Sequence, residues 1–311
     1  MKNKVVFIAG PTAGGKSGLA LWLAERANGT VINADSMQVY AELRVITARP
    51  APEDEARAPH KLYGYRQAAD PISAAEWAAH ARAAISATIA EGRLPIVVGG
   101  TGLYFRTLID GIAEVPPIPG AIRAEVRTLV ETEAPPIPHE MLRREDPAMA
   151  DRLNPGDRQR IARALEVKRA TGRSLLDWQR DAHASGLAAD PSLELIKTLL
   201  MPPRDEIYAR ADARFRAMID DQGALAEVAA LDRLGLDPGL PAMKALGVPE
   251  LTRYLRGELD RDAAIVRAQT VTRRYAKRQY TWFRNQFSDW VQADAQFLKR
   301  LFAKIFPFIN Y

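Results

Sequence analysis

One stretch restricts what this chain can fold into more than any other: Gly10, Pro11, Thr12, Ala13, Gly14, Gly15, Lys16 and Ser17. It fits the phosphate-loop pattern G-x-x-x-x-G-K-[ST], with Gly10, Gly15, Lys16 and Ser17 in the fixed places. The flanks supply the setting such a loop needs. Lys4 to Ala9 is a short apolar, β-branched run that reads as a buried strand. Leu19, Ala20, Leu23, Ala24 and Ala27 recur at helical spacing beyond it. Strand, glycine-rich loop and helix together form a phosphate cradle, because loop N–H groups turn inward and the new helix adds its own free N–H groups and positive dipole end. Lys16 would contribute a point charge and Ser17 a hydroxyl for Mg²⁺. A glycine turn that binds nothing is the bland alternative, and the strand and helix on either side argue against it.

Two further strands point at the same edge. Thr30 to Asn33 reads as a strand delivering Asp35, and Leu94 to Val98 as a strand delivering Gly99, Gly100, Thr101 and Gly102. Ligands bind outside the carboxyl ends of strands in open α/β sheets. The strand before Asp35 is expected to lie beside the first, so that its carboxylate opens onto the phosphate loop. Residues 49–72 are rich in proline, alanine and charge and read as irregular surface. Ser73 to Ile89 reads as a helix, with Ser73 and Glu76 in a capping box. Strands alternating with helices predict a doubly wound α/β core.

The pattern changes after about Gly111. From there to about 190 the periodicity is helical only, broken by prolines, with Asp157 to Thr171 the clearest helix. Leu193 to Met201 returns to strand-like composition, followed by helices, of which the one carrying Arg210 and Arg214 and the one over Asp262 to Phe287 stand out. The expected organisation is an α/β core over 1–110 and 191–311 with a helical insertion over 111–190. Residues 297–311 suggest a docked C-terminal helix.

Charge is informative by position. The net charge is only +5, from 43 basic and 38 acidic residues, but 263–288 contain no acid. Arg267, Arg273, Arg274, Lys277, Arg278 and Arg284 share that stretch with Tyr275, Tyr280, Trp282 and Phe283. Basic residues interleaved with aromatics suit phosphate-backbone contact and base stacking, although the aromatics equally suit core anchoring. Arg158, Arg160, Arg163, Lys168 and Arg169 form a second basic helix. With no cysteine, thiolate metal sites, disulfides and cysteine nucleophiles are excluded. The chain has no apolar run of membrane-spanning length, and a cytoplasmic protein without membrane association is expected. His60, His80, His139 and His183 lack metal-ligand spacing and read as structural or surface residues.

A phosphate loop alone supports phosphoryl transfer by a small-molecule kinase. Asp35 then fits a Mg²⁺ ligand, a general base, or merely a turn former. Five stretches in order reach further: 10–17, Asp35-Ser-Met-Gln-Val-Tyr40, Val98-Gly-Gly-Thr-Gly-Leu-Tyr-Phe105, Asp157-Arg-Gln-Arg-Ile-Ala-Arg-Ala-Leu-Glu-Val167 and Thr272-Arg-Arg-Tyr-Ala-Lys-Arg-Gln-Tyr-Thr-Trp-Phe-Arg284. In these the chain resembles the tRNA dimethylallyltransferases. The resemblance implies a P-loop kinase-like core with a helical tRNA-binding insertion. It implies dimethylallyl diphosphate and tRNA as partners, Mg²⁺ at Ser17, and a monomer. The implied reaction moves the allyl group to N6 of the adenosine just 3′ of the anticodon, in tRNAs that read codons beginning with U. By resemblance, Asp35 is the general base, Thr101 a hydrogen-bonding partner, and Arg214, with Arg210, a contact to the diphosphate held by Gly10–Ser17. The implied tRNA contacts are Asp35, Ser36, Met37, Gln38, Thr101, Arg123, Gln159, Arg160, Ile161, Ala162, Arg163, Lys277, Arg278, Gln279, Tyr280, Thr281, Trp282, Phe283 and Arg284. Departures from the family pattern fall at Val45-Ile46-Thr47-Ala48-Arg49-Pro50, where a glycine is lost, at His60-Lys61, and at Leu246-Gly247-Val248.

Overall fold

The computed structural model describes residues 2–113, 115–181 and 186–293. The expected C-terminal helix over 297–311, and His183, lie outside these residues. The strands are β1 (Asn3–Ala9), β2 (Gly29–Asn33), β3 (His60–Lys61), β4 (Leu94–Gly99), β5 (Leu193–Leu199) and β6 (Val291–Gln292). The helices are α1 (Lys16–Arg26), α2 (Pro52–Arg57), α3 (Ala74–Ala90), α4 (Gly102–Asp110), α5 (Gly120–Thr132), α6 (Pro136–Glu145), α7 (Pro147–Ala150), α8 (Arg158–Thr171), α9 (Leu175–Asp181), α10 (Arg204–Asp220), α11 (Ala224–Asp232), α12 (Val248–Leu255) and α13 (Arg261–Gln286).

The sheet has six strands in the order β3-β2-β4-β1-β5-β6, all parallel. A parallel sheet is covered on both faces, so its central strand reads as a continuous apolar run. In β1, Val5 to Ala9 are all fully buried. Alternate side chains serve opposite faces. Val6 and Ile8 pack with Ala20, Leu21, Leu23 and Ala24 of α1. Phe7 meets the edges of Phe105 from α4 and of Trp290, each with 6.3 Å between ring centres. The phosphate loop leaves the carboxyl end of β1, flanked by the ends of β4 and β5.

The strand order corrects one expectation. β2 is not next to β1, because β4 lies between them. Asp35 still reaches the loop because the intervening strand ends in glycines. A Cβ on Gly99 would sit 2.1 Å from the Ala34 carbonyl oxygen, so only glycine lets β2's exit cross so closely. Residues 49–72 are not wholly irregular either. Pro52 opens α2 at its first turn, with Glu53, Asp54 and Glu55 facing the positive dipole end. His60 and Lys61 then pair with Val31 and Ile32 as the edge strand β3. Two residues are too few to show a period.

Two compact units result: the chain up to Leu108 and from Pro191 onward, and Ile109–Asp190. Among its described residues the second unit holds helices and no strand. Its core joins Val126 and Val130 of α5, Leu142 of α6, Met149 and Ala150 of α7, Ile161, Ala164 and Leu165 of α8, and Leu176 of α9. Here the residues of the second basic patch divide into two groups. Arg158 turns inward to donate to the carbonyls of Val130, Glu131 and Glu133 at the end of α5. Arg169, with a side chain only 19% exposed, pairs with Glu145 and Glu125. Arg160 pairs with Asp157, and Arg163 with the buried Glu166. Arg158 and Arg169 thus answer groups of their own unit, whereas Arg160 and Arg163 keep side chains 70% and 44% exposed.

Candidate active site

The site lies in the first unit, where the carboxyl ends of β1, β2 and β4 meet α10 and α13. Gly15 is the N-cap of α1 with φ 86°, a left-handed conformation that glycine adopts freely. Ala13 shares the left-handed region at φ 59°, a strain of about 1–3 kcal/mol. Between them the Gly14 N–H closes the loop on the Pro11 carbonyl at 3.2 Å. Lys16 Nζ donates to the Pro11 carbonyl at 2.7 Å. Enclosure of this ammonium lowers its pKa to about 8; the Asp35 carboxylate resists the shift and the Arg214 guanidinium adds to it. A buried cation short of negative charge is suited to an anionic ligand.

Asp35 sits in a network that leaves one oxygen open. Its N–H donates to Asn33 Oδ1 at 2.8 Å, and its Oδ1 accepts from the Met37 N–H at 2.9 Å. Oδ2 takes no hydrogen bond among the described residues and faces Gly100, 3.4 Å from where a Cβ would stand there. Asn33 is held in turn, since its Nδ2 donates to the Leu62 carbonyl and its own carbonyl accepts from the buried Trp77 indole. Thr101 Oγ1 accepts from the Ser36 N–H at 2.9 Å and donates to Ser36 Oγ at 3.2 Å. It braces the Asp35–Ser36 turn from behind.

Arg214 on α10 donates to Thr12 Oγ1 at 2.7 Å. Burial pulls its pKa down, and the Asp35 charge opposes that. Arg210, one turn earlier, is exposed and paired with Glu206 at 2.7 Å. A cavity of about 270 Å³ connects these groups. Thr12 to Gly18, Asp35, Gln38, Thr47, Ala48, Tyr63, Val98 to Gly100, Arg210 and Arg214 line it. The structure thus brings together most of the residues expected at the diphosphate end, together with Asp35 and Gln38. Gly10, Pro11 and Thr101 stand behind the lining. Among the described residues no cluster of histidine and carboxylate side chains could hold a metal, which leaves the Ser17 hydroxyl and the ligand's own oxygens as donors. Hard oxygen donors of this kind suit Mg²⁺, which keeps several waters and binds through substrate phosphates.

Several of the implied RNA contacts are placed elsewhere. Ile161 and Phe283 are fully buried, and Gln279 is 6% exposed. Their side chains are core anchors, and the expectation of RNA contact is withdrawn for them. Phe283 and Trp282 pack with Phe287, at 5.7 and 5.0 Å between ring centres. Gln279 Oε1 accepts from the Thr12 N–H at 2.9 Å, while its Nε2 donates to the Gly100 carbonyl at 2.8 Å. It bolts the phosphate loop to the turn after β4. With Arg214 on its hydroxyl and Gln279 on its amide, Thr12 is a bracket of the loop. On the outer face of α13, Arg267, Arg274, Lys277, Arg278 and Arg284 are exposed, and none pairs with an acid among the described residues. Arg273 is neutralised by Asp212 of α10 at 2.6 Å. Tyr280 lies under Arg204, 4.9 Å from its guanidinium to the ring centre. Arg123, Gln159, Arg160, Ala162 and Arg163 belong to the second unit.

Sequence reasoning missed Tyr63, Thr47 and Ala48 in the lining. Tyr63 follows β3, so recognising that edge strand would have placed it at the same sheet edge as Asp35. Burial and the Asp35 charge push its phenol upward, and it stays protonated. Tyr275 on α13 is raised by the same two causes and is hydrogen-bonded to Gln279.

Comparison with known proteins decides the class. The sequence model described as IPP transferase matches residues 38–286. The chain belongs to the IPP transferase family. It is 55% identical over 284 residues to a tRNA dimethylallyltransferase of Rhodospirillum centenum, covering 91% of this chain and 89% of that protein. The corresponding protein of Nitrobacter hamburgensis is also 55% identical, over 91% and 88% of the two chains. Among solved structures, the full-length tRNA isopentenylpyrophosphate transferase from Bacillus halodurans aligns with a TM-score of 0.67 at 32% identity, over 98% of this chain and 95% of its own. A eukaryotic dimethylallyltransferase acting on tRNA aligns with a TM-score of 0.79 at 26% identity, over 98% of this chain and 77% of that one. In a family of this kind, the small-molecule kinase alternative is not favoured.

Proposed function

We infer that the protein transfers the dimethylallyl group of dimethylallyl diphosphate to N6 of the adenosine immediately 3′ of the anticodon, in tRNAs that read codons beginning with U, releasing diphosphate. The observation that carries this reading is the single cavity joining a cationic phosphate loop to a carboxylate with one free oxygen. The loop N–H groups, Lys16, Arg214 and Arg210 hold the diphosphate. Ser17 would hold Mg²⁺ by its hydroxyl, and the metal would supply charge neutralisation at the leaving group.

The adenine amino group is a poor nucleophile, since its lone pair is delocalised into the ring. As N6 forms its bond to the allylic carbon, the carbon–oxygen bond to diphosphate breaks and Asp35 Oδ2 accepts the amine proton. A positioned base of this kind contributes roughly 10²–10⁴-fold. Thr101 and Asn33 keep the Asp35 turn in place. Charge developing on the departing diphosphate meets N–H groups and cations already in position, each worth about 10²–10³-fold. The target base must leave its stack, at a cost of a few kcal/mol. Phosphate contacts from the exposed basic face of α13 offset that cost, and the exposed Arg123, Arg160 and Arg163 of the helical insertion add further phosphate contacts in this reading. No helix among the described residues is long and apolar enough to cross a membrane. We place its action in the cytoplasm, where unmodified tRNA is available.

The test is direct. Purified protein, dimethylallyl diphosphate, Mg²⁺ and unmodified tRNA should yield N6-dimethylallyladenosine and diphosphate, read by mass spectrometry of the nucleosides. Folded protein giving no modified nucleoside would refute the reading. Asp35→Ala should lower turnover by roughly 10²-fold or more with tRNA affinity nearly unchanged; unchanged turnover would remove Asp35 from its role.

A further inference from the structure

Part of the cavity wall is set by a carboxylate that does not line the cavity. Thr47 and Ala48 form that wall at the end of a tight turn. Within the turn, Thr47 Oγ1 donates to the Leu43 carbonyl, the Ala48 N–H to Val45, and the Arg49 N–H to Arg44. Ala48 is held at φ 55°, a conformation an alanine keeps only when its surroundings impose it. On one side Gln38 Nε2 donates to both the Thr47 and Ala48 carbonyls at 2.9 Å. On the other, three successive amides point at one group. The N–H groups of Arg44 and Val45 donate to Glu227 Oε2 at 2.8 Å each, and that of Ile46 donates to Oε1 at 2.9 Å. Consecutive amides converging in this way form an anion nest. Here its anion is the protein's own, in the first turn of α11, where the helix dipole also favours negative charge.

We propose that Glu227 is a positioning residue for the diphosphate donor: by filling the 44–46 nest it fixes where Thr47 and Ala48 close the cavity. The proposal rests on the reading that this cavity takes an allylic diphosphate. Two carboxylate oxygens satisfy three amide donors. A glutamine presents an NH₂ where one acceptor is required, so even an isosteric replacement releases part of the turn. A displacement of about 1 Å in such a wall costs up to roughly 10²-fold.

The experiment measures Glu227→Gln and Glu227→Ala for binding of inorganic diphosphate and dimethylallyl diphosphate by calorimetry, for tRNA binding, and for fold by circular dichroism. Expected is a rise of about 10–100-fold in the Kd of dimethylallyl diphosphate with tRNA affinity unchanged. Formate, titrated into Glu227→Ala, should occupy the vacated nest and restore donor affinity saturably, with no effect on wild type. If Glu227→Ala does not fold, Glu227→Gln decides. Folded variants that bind the donor within twofold of wild type overturn the proposal, as does a parallel loss of donor and tRNA affinity. Failure of the transferase reading looks different: wild type that binds inorganic diphosphate yet transfers nothing to tRNA.

Discussion

Diphosphate binding should take up a proton at Lys16 in mildly alkaline solution. In the free protein, enclosure holds the Lys16 ammonium at a pKa of about 8. A diphosphate against it restores the missing negative charge and keeps the proton on throughout this range. From about pH 8 upward an allylic diphosphate is itself almost fully ionised, since the second phosphate pKa lies near 6. The sign follows: the free site binds fewer protons than the complex once the pH passes the free-site pKa, so binding weakens as pH rises. Net uptake should be about zero at pH 7, where the ligand's own residual proton is lost, about 0.5 proton per donor at pH 8 and about 0.9 at pH 9, with affinity falling about tenfold per unit beyond that. Calorimetric titration of dimethylallyl diphosphate in buffers of different ionisation enthalpy gives the number directly, as the slope of observed heat against buffer enthalpy. Lys16→Met should bind far more weakly and show no uptake over this range. A zero slope at pH 8 and 9 in wild type would falsify the account of Lys16 as a desolvated cation, as would uptake that persists in Lys16→Met.

Other consequences follow from the same contacts. Gln279→Leu strands the Thr12 N–H and the Gly100 carbonyl, so it should destabilise the fold by about 2–3 kcal/mol and raise the donor KM about tenfold, with tRNA Kd unchanged; a change confined to tRNA Kd would return Gln279 to the RNA surface. Replacing Arg274, Lys277 or Arg284 by alanine should each lower the slope of log affinity for tRNA against log salt by about 0.7–0.9, the signature of one lost phosphate contact. Arg158→Ala removes a charged donor from three carbonyls at the end of α5. It should destabilise the helical unit by about 2 kcal/mol, read by chemical denaturation.

Equal-looking arginines separate cleanly once partners are known. Read along the chain, Arg158 and Arg169 are as basic as Arg274 and Lys277. In space, the first two answer carbonyls and glutamates of their own unit, while the latter face solvent without an acid. Nothing in the local sequence distinguishes them, because the distinguishing groups lie on other helices. The aromatics of α13 behave alike: Trp282 and Phe283 sit among basic residues in the sequence, yet pack with Phe287. Tyr63 escaped notice for a different reason, since a two-residue strand leaves no periodic trace.

What the sequence determines alone is what is local. β1, the phosphate loop and α1 are contiguous, and their geometry follows from apolar run, glycine placement and helix periodicity, so Lys16 and Ser17 were legible without coordinates. Asp35 was legible as a residue just past a strand. Its actual path to the loop was decided by strand order, with β4 between and its terminal glycines opening the way. The Gln279 bolt on Thr12 joins residues 267 positions apart, and the Glu227 hold on Arg44, Val45 and Ile46 spans 181 to 183. A buried glutamine or a carboxylate on a helix reads the same whether it faces water or three amides. Only the packing of α11 and α13 beside the sheet edge gives these side chains their partners.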